Sequence, residues 1–114
     1  MQTALSPAFR SAMLSTATGY ASTITSGPIR MSGNKATLSV IVTNISASST
    51  FTVYIDGSYE GQMWKELTSV AQSAFGYNTV AQTGVDYAFV RIRAVLTGTT
   101  VQVLFDATLD LSSQ

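Results

Sequence analysis

The chain predicts an all-β fold, an antiparallel β-sandwich of jelly-roll-like form, and three observations predict it. Apolar and small polar residues alternate over long stretches, as in Ala36-Thr37-Leu38-Ser39-Val40-Ile41-Val42-Thr43-Asn44. A two-residue period puts every second side chain on one face of a strand. Short clusters of Gly, Pro, Ser and Asn punctuate these runs, which gives about seven or eight strands at the spacing of a sandwich. Finally, 114 residues with 46% hydrophobic content and no cysteine can bury one core without disulfide support.

In chain order, the opening segment stands apart. Ala4-Leu5, Ala8-Phe9 and Ala12-Met13 recur every four residues, and Ser6-Pro7 has the chemistry of an N-cap followed by the first helical position. Residues 1–15 therefore read as a short N-terminal helix or arm, and residues 16–114 as a single β-sandwich domain. A helix this short needs a surface to lie on, its own sandwich or a neighbouring subunit. A strand over 20–25 is weakly signalled. Ile29-Arg30-Met31 reads as a short edge strand, because Pro28 is tolerated only at an edge or a strand start. Strong strands follow over 36–45 and 51–55. Shorter ones are expected over 65–71 and 78–81. The last two, over 87–96 and 100–109, read as an antiparallel hairpin joined by Thr97-Gly98-Thr99. Ala88, Val90, Ile92 and Ala94 then face one side, and Tyr87, Phe89, Arg91 and Arg93 the other.

Composition narrows the function. The chain has no histidine, only 11% charged residues and a formal net charge of zero. Phosphate backbones are bound by clustered Lys and Arg, so no nucleic-acid partner is expected from the lone Arg91/Arg93 pair. No run approaches the roughly 18 apolar residues of a membrane span, and no leader pattern opens the chain, so no membrane partner and an intact product are expected. Without His or Cys, nucleophilic relays would need Ser or Thr beside Lys or a carboxylate, and no such motif stands out. The six carboxylates show no glycosidase-like pairing; Asp56 and Glu60 are the nearest candidates for one. The Asp56–Gly61 stretch offers oxygen ligands to calcium but lacks the full calcium-loop pattern, which leaves a plain turn as the simpler reading. The chain is expected to be non-enzymatic, with no catalytic residue, metal or cofactor.

The most specific local feature is Phe51-Thr52-Val53-Tyr54-Ile55-Asp56-Gly57-Ser58, running through Gly61 to the lone Trp64, with Tyr87-Ala88-Phe89-Val90-Arg91-Ile92-Arg93-Ala94 further on. A single tryptophan in a small sandwich either plugs one end of the core or serves as a stacking surface for a ligand. The order of these segments resembles small β-sandwich virion proteins of tailed bacteriophages, of the decoration or cement type. The matching positions are Gly57, Ser58, Gly61, Trp64, Tyr87, Val90, Arg91 and Arg93. Tyr59-Glu60 departs from the pattern, which has a polar residue and Asp there. The segments also resemble discoidin-like sandwich modules. The phage resemblance covers about half of the chain. It implies a structural protein on the capsid surface, made in the host cytoplasm, that binds the major capsid protein or other virion subunits as a homo-oligomer.

Two sets of contact residues follow from the residue types. Leu5, Phe9 and Met13 on the N-terminal segment and Tyr87, Phe89, Arg91 and Arg93 on the sheet are candidates for binding a partner, since Tyr, Phe and Arg are enriched at interface cores. The same sheet face covered by other elements is the alternative. A carbohydrate-binding module is the second functional reading, with Tyr59, Trp64 and Tyr77 as stacking surface.

Overall fold

Two antiparallel sheets face each other across one hydrophobic core. The structure, a computed structural model, describes residues 3–15, 21–26, 28–31, 33–46, 49–72, 74–98 and 101–112, with side chains from residue 23 onward. Its strands are β1 (Thr3–Ser15), β2 (Ala21–Thr25), β3 (Ile29–Arg30), β4 (Lys35–Ile45), β5 (Thr50–Ser58), β6 (Lys65–Ala71), β7 (Gly76–Gln82), β8 (Phe89–Thr97) and β9 (Gln102–Ser112). One sheet has the order β1-β9-β4-β7, the other β2-β8-β5-β6, and β3 also pairs with β8. Consecutive strands mostly cross from one sheet to the other, which is jelly-roll winding.

The alternation puts its apolar half into the core. Leu38, Val40 and Val42 on β4 meet Phe105, Ala107 and Leu109 on β9 within one sheet. Phe51, Val53, Ile55, Val90, Ile92 and Ala94 line the other, and all of these are 0 or 1% exposed. Phe51 and Phe105 touch across the two layers, with ring centroids 4.8 Å apart at 53°. Their tilted geometry is a favoured one for aromatic pairs.

Three sequence expectations are corrected. Residues 3–15 form no helix; they run as β1, antiparallel to β9 from Thr3 opposite Ser112 to Ser15 opposite Gln102. The reason lies in the period itself. Positions four apart share a face of a strand as well as of a helix, and β9 offers an edge of unpaired backbone that a lone helix cannot match. Pro7 is accommodated because β1 is an edge strand, and the register shifts beside it, between Pro7 and Phe9 and again before Ala12. The second correction concerns the expected hairpin. β8 pairs with β2, β3 and β5, whereas β9 pairs with β1 and β4. β8 and β9 therefore lie in different sheets and do not form a hairpin. Both strands bury every second residue, so they bury those residues against each other across the core. The third is Ala88, which is exposed. It precedes β8, and the alternation begins only at Phe89.

The edge opposite β6 is interrupted where Pro28 sits. β2 pairs with Arg93 to Thr97 and β3 with Phe89 and Val90. Between them Ser26 bridges the gap, its amide donating to the Ile92 carbonyl and its Oγ accepting from the Ile92 amide, each at 2.9 Å.

Candidate functional site: the outer face of the five-stranded sheet

The outward positions of β5 and β8 interleave. Tyr54 lies opposite Arg93, Asp56 opposite Arg91 and Ser58 opposite Phe89. β6 adds Glu66 opposite Asp56, after a bulge that leaves Leu67 as the extra residue. The β5–β6 connection then brings Trp64 back to the same face.

Asp56 organises this face. Its side chain is 2% exposed, and one oxygen, Oδ2, accepts from Arg91 Nε and from Arg93 Nε at 3.0 Å each. Arg93 Nη2 reaches Oδ1 at 3.4 Å and lies 3.7 Å from the exposed Glu66 carboxylate. Each guanidinium also covers an aromatic ring. Arg91 Cζ is 4.5 Å from the Trp64 ring centre, and Arg93 Cζ is 4.1 Å from that of Tyr54. Such stacking adds to the ion pairs and holds the planar forks in fixed orientations. Arg93 is held above the usual guanidinium pKa, first by its hydrogen bond to Asp56. Desolvation opposes this, and the charges of Asp56, Tyr54 and Glu66 add to it. The result is an array of two guanidinium–aromatic pairs around one buried carboxylate.

The loop beside the array is a closed turn. Ser58 Oγ, on a side chain 1% exposed, accepts from the amides of Glu60 (3.3 Å) and Gly61 (2.9 Å), and Gly61 takes the positive φ (84°) that the turn requires. Asp56 is buried with two arginines on its carboxylate, whereas Glu60 is exposed in the turn that follows. Among the described residues no group of three His, Cys, Asp or Glu side chains could hold a metal ion.

The expected contact residues separate. Arg91 and Arg93 lie at the centre of this face, with Phe89 half-buried at one end of it. Tyr87 does not join them: it packs against the core under Gly57, where a methyl group on that glycine would lie 2.8 Å from Tyr87 Cδ2 and 3.0 Å from Leu67 Cδ1. Tyr59 is exposed and stacks on Tyr87, with centroids 4.6 Å apart. Its hydroxyl pKa is raised, chiefly by the negative charge of Asp86, with desolvation and Tyr87 contributing less. Trp64 is half-buried on the outer face rather than in the core cluster. Tyr77 lies on β7 in the other sheet, so Tyr59, Trp64 and Tyr77 do not form one stacking surface. Leu5, Phe9 and Met13 sit on β1 opposite Asp110, Ala107 and Leu104; their side chains lie outside the described residues. Sequence reasoning missed Tyr54 and Glu66 as members of the site and Asp56 as its anchor. The available signal was Arg-x-Arg on an alternating strand, which sets two guanidinium groups side by side on one face where a carboxylate on the facing strand can pair with both.

Gly57 is needed for space rather than for its backbone angle. Gly57→Ala is expected to cost about 1–3 kcal/mol by pushing on Tyr87 and Leu67. Adding Tyr87→Leu should remove much of that penalty, read as coupling in a double-mutant cycle of urea unfolding. Additive effects would show that Tyr87 is not the obstacle.

No protein-family model matches the chain, and no curated protein matches it. Solved structures do. The phage PBSX exported protein XepA matches 97% of this chain at 13% identity and a TM-score of 0.70, over 37% of its own chain. The CBM22-1–GH10 modules of Clostridium thermocellum xylanase 10B, complexed with xylohexaose, match 98% of this chain at 12% identity and a TM-score of 0.56, over 25% of theirs. A carbohydrate-binding module of family 29 matches 99% of this chain at 10% identity and a TM-score of 0.52, over 92% of its own. The chain thus spans 37% and 25% of the first two proteins. At these identities the likenesses establish the β-sandwich fold, one that occurs in a phage exported protein and in carbohydrate-binding modules.

Proposed function

We propose that this chain is a virion structural protein of a tailed phage, a non-enzymatic capsid decoration protein that binds the major capsid protein lattice as a homo-oligomer. The observation that carries the reading is the Asp56-anchored array of Arg91, Arg93, Trp64 and Tyr54. Tyr, Trp and Arg dominate binding hot spots, and side chains already fixed in place lose little freedom on binding. Repetition over a lattice would multiply a modest single contact. The likeness to the PBSX exported protein and the low charge support it. The protein would be made in the host cytoplasm and end on the capsid surface.

Carbohydrate binding is the second reading, favoured by two aromatic rings and two guanidinium groups on one open sheet face. One face of each ring is taken by an arginine, so a sugar would use the remaining ring surface and the terminal guanidinium N–H groups.

The two readings separate in one set of measurements. The purified chain is co-sedimented with shells of the major capsid protein encoded in the same genome. It is also titrated with xylohexaose while the fluorescence of its single tryptophan is followed. Decoration requires shell binding that weakens about 30-fold or more in Arg91→Ala, the size of a hot-spot loss. A saturable Trp64 signal with xylohexaose and no shell binding would instead establish the carbohydrate reading.

A further inference from the structure

Four strand edges bound the sandwich, and three of them are blunted. β1 carries Pro7 and two register shifts, and the β2/β3 edge is broken at Pro28. β6 carries Lys65, Glu66 and a bulge. These are the devices that keep sheet edges from pairing with other chains. β7 has none of them. Its sequence, Gly-Tyr-Asn-Thr-Val-Ala-Gln, contains no charge and no proline, and it pairs with β4 without a register shift from Gly76 to Gln82.

Among the described residues the outer edge of β7 is also without a neighbouring strand. The Thr79 amide bonds to Asn78 Oδ1 at 2.9 Å, an exposed local acceptor that a neighbouring strand's carbonyl would replace. Backbone groups alternate in direction along a strand, so the amides of 77, 79 and 81 share this edge. The side chains of these residues share the outer face of the sheet. There Tyr77 is 64% exposed beside its cross-strand neighbour Ile41, itself 42% exposed, and Ala81 is exposed as well.

We propose that β7 pairs antiparallel with β7 of a second copy of this chain, about a two-fold axis at Thr79. The two four-stranded sheets then become one continuous sheet. In this register Thr79 faces Thr79 of the second copy, and Tyr77 faces its Ala81, each pair exchanging two backbone hydrogen bonds. Each Tyr77, whose hydroxyl donates to Ser39 Oγ on β4 at 3.4 Å, then stands beside the small Ala81 side chain of the other copy, once on each side of the axis, and Ile41 extends each apolar patch. A strand with no charge meets no repulsion from its own copy. The inference rests on the self-association in the function proposed above, and on no other part of it, because the Arg–aromatic array lies on the opposite sheet.

The test is sedimentation velocity of the full chain over a range of concentrations. The unaltered protein is expected to be a dimer. Thr79→Lys, which sets two ammonium groups directly opposite each other, should be a monomer with an unchanged far-ultraviolet dichroism spectrum. Thr79→Val, which loses the bond from Thr79 Oγ1 to the Leu38 carbonyl (3.0 Å) but adds no charge, should remain a dimer. Should Thr79→Lys fail to fold, Thr79→Glu gives the same reading, since it too sets like charges directly opposite each other across the axis. Because the chain has no cysteine, Thr79→Cys should be joined into a dimer by a short bismaleimide, and Ser69→Cys on β6 should not. A monomeric unaltered protein overturns the inference. So does an oligomer that the charged variants at position 79 leave intact, which would leave self-association standing on another surface. Shell and xylohexaose binding, measured on the Thr79→Lys monomer, report on the other sheet separately.

Discussion

Replacing Arg91 and Arg93 together by methionine is expected to destabilise the protein by about 3 kcal/mol, the lower end of the range for a buried charge stripped of its partners. The cost arises at Asp56. Its carboxylate is 2% exposed, and both its principal partners are these guanidinium groups at 3.0 Å. Methionine fills similar volume on the sheet face but leaves the carboxylate without a cation. The arginines are 23% and 27% exposed, so solvent reaches part of the site and lowers the penalty. Adding Asp56→Leu removes the stranded charge, and the triple variant should recover most of the loss, because a buried ionic group exchanged as a unit for apolar side chains is close to neutral. Urea unfolding followed by circular dichroism measures all three states. A double variant as stable as the parent would show that Asp56 is solvated and that the array is not held by it.

Phe105→Ala should cost about 3–5 kcal/mol. Phe105 is fully buried on β9 and Phe51 is 1% exposed on β5, and their ring contact is one of the places where the two sheets meet directly. Truncation removes apolar burial and leaves a hole between two layers that their own hydrogen-bonded ladders keep from collapsing. Phe51→Ala should cost a similar amount. The double variant should cost less than the two together, since each single change already forfeits the ring contact. Midpoints of urea unfolding for the three variants supply the cycle. Simple additivity would mean that the rings pack independently.

The core was legible in the sequence nearly residue by residue. Val90, Ile92 and Ala94, read as one face of a strand, are all buried, and so are Leu38, Val40 and Val42. The span 65–71 is β6 as read, and Ile29-Arg30 is the edge strand that Pro28 requires. Strand ends were less legible. β5 continues through Asp56 and Ser58, because Asp56 is neutralised by arginines on β8 and Ser58 Oγ is satisfied by the turn that follows. Polar residues in those positions look like a loop until their partners are known. Tyr87 was misplaced for the opposite reason. Alternation extrapolated past the start of β8 puts it outward, whereas the space above Gly57 draws its ring inward.

Sequence by itself determined the β-sandwich class and, within the regular strands, which side chains enter the core and which stay out. Those are consequences of a two-residue period and of the free energy of removing apolar surface from water, and both are written locally. Tertiary structure alone decided that residues 3–15 are a strand, that β8 and β9 lie in different sheets, and that Asp56 gathers Arg91 and Arg93 between Trp64 and Tyr54. Strand neighbours are chosen through backbone hydrogen bonds, which are the same for every residue. The order of strands in a sheet, and any site assembled across that order, therefore exists only once distant segments have paired.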